Sequence, residues 1–341
     1  MAPDAPQVTA TALGDWPGTD PLEATRVVRG ELGDPHLPHL VSLPHRGVGS
    51  DAVGRTAAIL VELPVDLQPH GWRLVDRPGK DHRRAVSALS TDLNVLGDLI
   101  GAESHPAPAL KIHLRGPLSV AANLHLHSGE RALLDHGARR EIRDSLTLGA
   151  AETISRVQTL APGTRVHLQL DEPEIADILA GGIPTASGYR TLRAVPDQEV
   201  SDAWDAIAEA VRAAGAATVT VSFPADRAPL DVLGMSTLSA VAVPLAGLTM
   251  AQWEQLAGHL EADGELWAGI VPDPRRPRRV ATLAASVLTP WRQLGLPVSR
   301  LAQLRLTPDA GLESVSPSAA GTILSRLTQT ADALNQEMAG N

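Results

Sequence analysis

A repeated alternation of two periodicities constrains the fold of this chain more than any other feature. Short apolar or β-branched runs recur along the sequence. Each is followed by a longer stretch with helical spacing of its apolar residues, such as the stripe from Val86 to Ile100. This pattern is typical of β/α units around a parallel sheet. Strands are predicted at residues 8–13, 39–43, 110–114, 165–171, 217–223, 238–245, 265–271 and 301–306.

Eight strands alternating with helices over 341 residues favour a single (β/α)8 TIM barrel over a doubly wound sheet. A doubly wound sheet that binds a dinucleotide would usually show G-x-G-x-x-G after the first strand, whereas residues 14–18 read GDWPG. A ninth short run, at residues 72–76, is interpreted as an excursion after the second strand. No linker divides the chain, so we expect one domain over residues 1–341 with its core at about 8–338.

Charge and composition limit the classes of partner that we expect this chain to bind. A formal net charge of −10 disfavours nucleic acid or an anionic membrane as the main partner. The one basic run, Arg275, Arg276, Arg278 and Arg279, is interpreted as a solvated entry into a helix, with an anion-binding or nucleic-acid role as the alternative. No apolar run approaches the roughly 20 residues of a membrane span, and no signal pattern is visible. We therefore expect a cytoplasmic protein.

The chain contains no cysteine, which excludes disulfides, thiolate metal ligands and cysteine nucleophiles. His125 and His127 stand two residues apart and could chelate a metal if their segment were extended. A surface loop before a helix is the interpretation we favour for this pair. The sequence therefore predicts no metal site.

Barrel chemistry takes place at the carboxyl ends of the strands, so the residues that follow each predicted strand are the candidates for a site. Strand-end carboxylates could hold a substrate ammonium, and an arginine could hold a carboxylate bidentately. A loop tyrosine, the only one in the chain, could cover the mouth or simply pack on the surface. The candidate substrate-binding residues are Asp15, Arg115, Asp171, Glu172, Tyr189, Ser222 and Asp309.

For Asp171 and Glu172 a structural alternative is equally open. Each could cap a helix N-terminus or form a buried ion pair with Arg115 instead of binding a substrate. Ser222 forms no readable triad with a histidine and a carboxylate. The sequence therefore assigns no catalytic residue.

Three segments at predicted strand ends resemble the catalytic barrel of the cobalamin-independent methionine synthase family. Residues 168–174 (LQLDEPE) are similar to its Q-x-D-E-P segment, residues 306–312 (LTPDAGL) to its P-x-C-G-L segment, and residues 14–19 (GDWPGT) to its G-S-F-P turn. Residues 183–188 (IPTASG) resemble shorter actinobacterial members. The likeness spans nearly the whole chain but only the family's C-terminal barrel. It implies a barrel of the methionine synthase and uroporphyrinogen decarboxylase type.

The resemblance also implies methyl transfer to a homocysteine thiolate bound to zinc, with the acid that matches Asp171 or Glu172 on the homocysteine amino group. Zinc held by His, Cys and a carboxylate depresses the thiol pKa for this reaction. Here residues 220–224 hold neither His nor Cys, residues 241–244 hold no carboxylate, and Ala310 stands at the last Cys position. The family's proton-donating His is also missing from residues 269–274. No zinc cofactor is therefore expected, and Arg115 could fill the space that zinc would occupy.

Two functions of different class follow. The first is a methionine-synthase-like barrel protein, of homocysteine S-methyltransferase ancestry, whose zinc-dependent methyl transfer is lost or changed. The alternative is a non-catalytic protein that binds a small metabolite or a partner on the same fold. The expected ligands are an amino acid or a methyl donor, with a corrinoid or its carrier protein as a further partner. A cofactor-free decarboxylase-like activity would require an arginine-lined cleft.

Overall fold

The computed structural model describes residues 6–224 and 228–340. Its main feature is one curled sheet of seven parallel strands in the order β1-β9-β8-β7-β6-β5-β4. A separate antiparallel hairpin, β2–β3, contains most of the run predicted as an excursion, which confirms that prediction. The strands are β1 Thr9–Ala10, β2 Val65–Gln68, β3 Gly71–Leu74, β4 Ala109–Arg115, β5 Arg165–Asp171, β6 Thr218–Ser222, β7 Ala240–Pro244, β8 Glu265–Val271 and β9 Leu304–Pro308.

Helices follow the strands of the sheet and give the alternation that the sequence predicts. Two starts match their sequence signals: Thr249 and Gln252 form a capping box, and Ser316 caps the last helix ahead of a proline. The helices are α1 Pro21–Glu31, α2 Ala52–Ala57, α3 Lys80–Ala102, α4 Pro117–Asn123, α5 His136–Leu160, α6 Ile175–Ala180, α7 Asp197–Ala213, α8 Leu230–Leu233, α9 Met250–Glu261, α10 Val280–Gln293 and α11 Pro317–Ala339. None of the described helices is long and apolar enough to cross a bilayer.

The strand predicted at residues 39–43 is present only as an extended segment with isolated bridges. It lies between the two edge strands of the sheet: Ser42 N donates to Gly14 O over 3.0 Å, and Leu40 N donates to Lys111 O over 2.8 Å. Pro38 and Pro44 flank the segment and cannot donate to a ladder, which limits regular pairing. The prediction of eight regular strands is thus wrong at this position.

The sheet has one apolar and one largely polar face. Leu110, Ile112 and Leu114 alternate along β4 and belong to the large apolar cluster that also contains the helices' buried residues. Alternate residues point to the concave face, where a small apolar cluster includes Trp267. The polar residues on that face include Lys111, His113, Arg115, His167, Gln169, Asp171, Thr218, Thr220, Glu265, Arg305 and Thr307.

Lys111 joins opposite sides of the concave face. Its buried ammonium donates to Ala12 O and, over 2.6 Å, to Gln169 Oε1, and it lies 5.5 Å from the ring centroid of Trp267. Burial lowers the pKa of Lys111 to about 7, and the nearby carboxylate of Asp171 opposes that shift. Gln169 lies on β5 and Ala12 follows β1, and these two strands are not neighbours in the sheet. The contacts of Lys111 therefore span the space that the curled sheet encloses.

His39 is completely buried, and neither of its ring nitrogens has a hydrogen-bond partner among the described residues. Burial and the charge of Lys111 hold the pKa of His39 well below 6.5, so the folded protein keeps it neutral. An unfolded chain protonates histidine below about pH 6.5. The unfolded state therefore binds the extra proton, and stability falls as pH drops below that value.

Replacing His39 with leucine should remove this pH-dependent penalty. We expect H39L to increase the free energy of unfolding by about 2 kcal/mol more at pH 5 than at pH 7.5, because the wild-type penalty grows by 1.36 kcal/mol per pH unit below about 6.5. Urea denaturation at both pH values measures the difference. The exposed control H105L should show no such difference, and equal changes at the two pH values for H39L would contradict the interpretation.

Candidate functional site

A cavity of about 270 Å³ opens at the carboxyl ends of the strands, where the sequence places the candidate residues. Residues from the ends of β1, β4, β5, β6 and β9 and from α2 line it. Its wall combines apolar and charged residues. The charged and polar lining residues are Asp15, Arg55, Thr56, His113, Arg115, Asp171, Ser222 and Asp309.

The structure brings five of the seven predicted residues together around this cavity: Asp15, Arg115, Asp171, Ser222 and Asp309. The other two lie elsewhere, as described below. The five come from different strands that are far apart in the chain. Their proximity follows from the parallel sheet, which places all its carboxyl ends at one edge.

Asp171 is held in place by Gln169 on the same strand. Gln169 Nε2 donates to Asp171 Oδ1 over 2.6 Å and to Leu13 O over 2.9 Å. Burial raises the pKa of Asp171 to about 6, although Arg115, Gln169 and Lys111 each oppose the shift. Arg115 and Asp171 are close but form no salt bridge in the described structure. The predicted alternative of an ion pair between them is therefore wrong.

Four buried polar atoms without a hydrogen-bond partner belong to residues that line the cavity. Asp15 Oδ1, Asp309 Oδ1, Arg115 Nε and His113 Nδ1 are buried and have no hydrogen-bond partner among the described residues. Burial raises the pKa of Asp309 to about 6, against the backbone of Val271 and the charge of Arg278. Buried polar groups in native proteins are nearly always hydrogen-bonded. These atoms are therefore available to a ligand with both donors and acceptors.

His113 lines the cavity but was not predicted as a site residue from the sequence. Only 9% of its surface is exposed, and its ring packs where a side chain at Gly14 would be: a Cβ there would lie 2.2 Å from His113 Cε1. Gly14 also has φ +128°, which favours glycine. Burial, followed by the charge of Lys111, keeps the pKa of His113 well below 6.5. The period-two pattern of residues 109–115, which puts His113 on one face with Lys111 and Arg115, was the available signal.

Arg55 was also missed, and no sequence signal pointed to it. It donates to Asp92 and, over 3.1 Å, to Val41 O, while Arg46 pairs with the same carboxylate at 2.6 Å. Arg55 therefore has a carboxylate partner in Asp92 on α3, which it shares with Arg46. Arg115 is the lining guanidinium that has no carboxylate partner in the described structure.

Glu172 has a structural position instead of a place in the cavity. It is buried and accepts hydrogen bonds from Leu118 N at 3.2 Å, Ser119 N at 2.8 Å and Trp204 Nε1 at 3.1 Å. Burial raises its pKa to about 7 in spite of these donors. A Cβ at Gly116 would lie 2.2 Å from Glu172 Oε1, so the carboxylate fills that space. Glu172 therefore fits the alternative of a helix cap, at the N-terminus of α4, better than it fits substrate binding.

Tyr189 is 93% exposed and does not line the cavity. The loop that carries it folds against other loops: Arg131 donates to Pro184 O at 3.1 Å, and Ala186 N donates to Glu130 Oε1 at 2.8 Å. This position matches the surface alternative given for Tyr189. Tyr189 is therefore not part of the proposed site.

The donors that zinc requires do not assemble here. Ala310 lines the cavity at the position of the resembled family's last cysteine, and β6 ends in Ser222 at its edge. Within residues 6–224 and 228–340 no group of three His, Asp or Glu side chains could hold a metal ion. His125 instead faces Trp72 O at 3.3 Å, and His127 lies 3.4 Å from an exposed Asp76. The described residues do not fit a tetrahedral zinc site.

Comparison with known proteins supports the fold. A B12-independent methionine synthase from Shewanella sp. W3-18-1, in complex with selenomethionine, superposes with a TM-score of 0.65 at 11% identity over 98% of this chain and 100% of its own. A methyltransferase from Methanosarcina mazei gives 0.53 at 12% identity over 98% and 95%. No protein-family model and no curated protein matches the sequence. At these identities the likeness is one of fold: an α/β architecture shared with a methionine synthase and a methyltransferase.

Proposed function

We propose that this chain is a methionine-synthase-like barrel protein that binds a small zwitterionic amino acid in its cavity without zinc. One observation carries the proposal: unpartnered carboxylate oxygens of Asp15 and Asp309 line the same cavity as the unpartnered guanidinium of Arg115. An α-amino acid offers an ammonium group to the first two and a carboxylate to the third. Each unpaired group would then gain a partner.

The charge balance of the cavity supports a ligand that carries a cation. Asp15, Asp171 and Asp309 contribute three carboxyl groups to the lining, which outnumber its two guanidinium groups, Arg115 and the Asp92-paired Arg55. A purely anionic ligand would meet net repulsion. A ligand with both charges matches the lining residues.

The size of the cavity favours an amino acid over a macrocycle. About 270 Å³ lies below the usual range of 300–1,000 Å³ for drug-sized ligands. A corrinoid, or the carrier protein that holds one, would therefore contact the mouth from outside. We retain such a partner only as a methyl donor to a ligand already bound.

The bridged segment at residues 37–42 supports a further proposal about architecture. It bonds to both edge strands of the curled sheet. We take this segment to complete a single-domain (β/α)8 barrel. Closure would place the cavity at one end of a continuous ring of strands.

Catalysis on the same site is the second candidate, and it rests on His113. Its imidazole is neutral, has an unpartnered Nδ1 and lines the cavity, so it could orient a bound thiol by accepting a hydrogen bond from it, while burial and the charge of Lys111 oppose full proton transfer. The test is methionine formation from homocysteine and methylcobalamin by chelator-treated protein. A rate above that of H113A would identify an enzyme, whereas no turnover alongside amino-acid binding would support the non-catalytic alternative.

The binding proposal predicts that both charges of the ligand are needed. Isothermal titration calorimetry should detect L-methionine or L-homocysteine. It should also show at least about tenfold weaker binding for 3-(methylthio)propylamine, which lacks the carboxylate, and for 4-(methylthio)butanoate, which lacks the ammonium, since a charged hydrogen bond contributes about 1.5–3 kcal/mol. D309N and R115Q should each weaken binding of the amino acid by a similar factor.

The matched control is D98N, which removes an exposed carboxylate from α3, far from the cavity lining. Its affinity should equal that of the wild type. The proposal fails if neither amino acid binds, or if the butanoate binds as tightly as L-methionine.

Affinity should also depend on pH. An ammonium ligand needs ionised carboxylates, and Asp309, one of the two proposed ammonium contacts, has a pKa of about 6 in the folded protein. Affinity should therefore rise from pH 5 to pH 7.5 by about tenfold for each carboxylate that contacts the ammonium, and level off above pH 7. Calorimetry over this range measures the profile, and D309N should flatten it. A profile without slope in the wild type would argue against these carboxylates as the ammonium site.

A further inference from the structure

Four exposed arginines stand together in the loop between β8 and α10. We call Arg275, Arg276, Arg278 and Arg279 the arginine rim. Prolines at positions 272, 274 and 277 restrict the backbone between them. A fifth arginine, Arg326 on α11, is anchored against the loop because its Nη1 donates to Arg278 O over 2.9 Å.

The guanidinium groups of the rim have no acidic partner in the part of the chain that the structure describes. The acidic residue of the same loop, Asp273, is engaged otherwise, since its Oδ1 accepts from Arg275 N at 3.0 Å. The chain as a whole has 39 acidic and 29 basic residues. The loop therefore carries four guanidinium groups and one carboxylate, and its net positive charge makes the four arginines repel one another.

The rim lies beside the cavity. The loop follows the carboxyl end of β8, the end of the sheet at which the cavity opens. Arg278 is near enough to Asp309, which lines that cavity, for its charge to act on the carboxyl group. The carboxylates of the cavity repel anions, whereas the rim attracts them, so the two regions select opposite charges.

We propose that the arginine rim is a binding site for a multiply charged oxyanion, phosphate or polycarboxylate, at the edge of the cavity. Arginine presents planar, forked donors that match both groups, and several weakly hydrated guanidinium ions together favour a polyvalent anion over a monovalent one. The site would recognise either a free anion or the anionic end of a larger ligand. It goes beyond the amino-acid site and does not depend on it.

The test is calorimetric titration of the full chain with inorganic tripolyphosphate and, separately, with citrate, at low ionic strength. We expect R278Q/R279Q to bind the preferred anion at least tenfold more weakly than the wild type does. Added salt should weaken binding by the wild type. The matched control R26Q/R165Q removes two exposed arginines, one from α1 and one from the opposite end of β5, and should change affinity less than twofold. The stronger of the two anions identifies the chemistry.

Two outcomes would overturn the site: no binding of either anion by the wild type, or equal weakening in both double variants, which would indicate a general effect of net charge. Titration of R278Q/R279Q with L-methionine separates this inference from the proposed function. Loss of tripolyphosphate or citrate binding with retained methionine binding supports two distinct sites. Binding of the anion without any amino-acid binding would leave the rim standing and remove the proposed function alone.

Discussion

The buried ammonium of Lys111 is the interaction on which the interior of this sheet depends. It donates to a backbone oxygen next to β1 and to Gln169 on β5, elements that are not neighbours in the sheet. Gln169 in turn fixes Asp171. A buried cation without such partners would be strongly unfavourable. The network therefore couples the packing of the concave face to the geometry of the cavity.

The charge of Lys111 also influences the protonation state of the residues around the cavity. Lys111 opposes the protonation of Asp171 and disfavours the protonation of His39 and His113. The cavity is lined by the neutral imidazole of His113 and by the carboxyl groups of Asp171 and Asp309, whose pKa values are about 6. Several polar atoms of this lining have no hydrogen-bond partner among the described residues, so a ligand can pair with them without displacing an existing bond.

Much of this could be predicted from the sequence. The buried strands could be recognised as short apolar runs in the sequence. The rule that barrel sites lie at the carboxyl ends of strands then predicted five residues that line the cavity: Asp15, Arg115, Asp171, Ser222 and Asp309. Three features depend on local packing or on distant contacts that the strand and helix patterns do not encode. Prolines prevented regular pairing at residues 39–43. The space beside Gly116 drew Glu172 towards α4, which no strand-end rule anticipates. Arg55 depends on Asp92, 37 residues away on another helix.

The central claim is that the charges of the chain itself, and not a zinc ion, make the cavity a site for an amino acid. Metal content of protein produced in zinc-supplemented medium tests it most directly, by elemental analysis after gel filtration. The account predicts zinc well below one equivalent per chain in protein that still binds L-methionine. One equivalent of tightly held zinc, lost together with amino-acid binding on chelation, would contradict it.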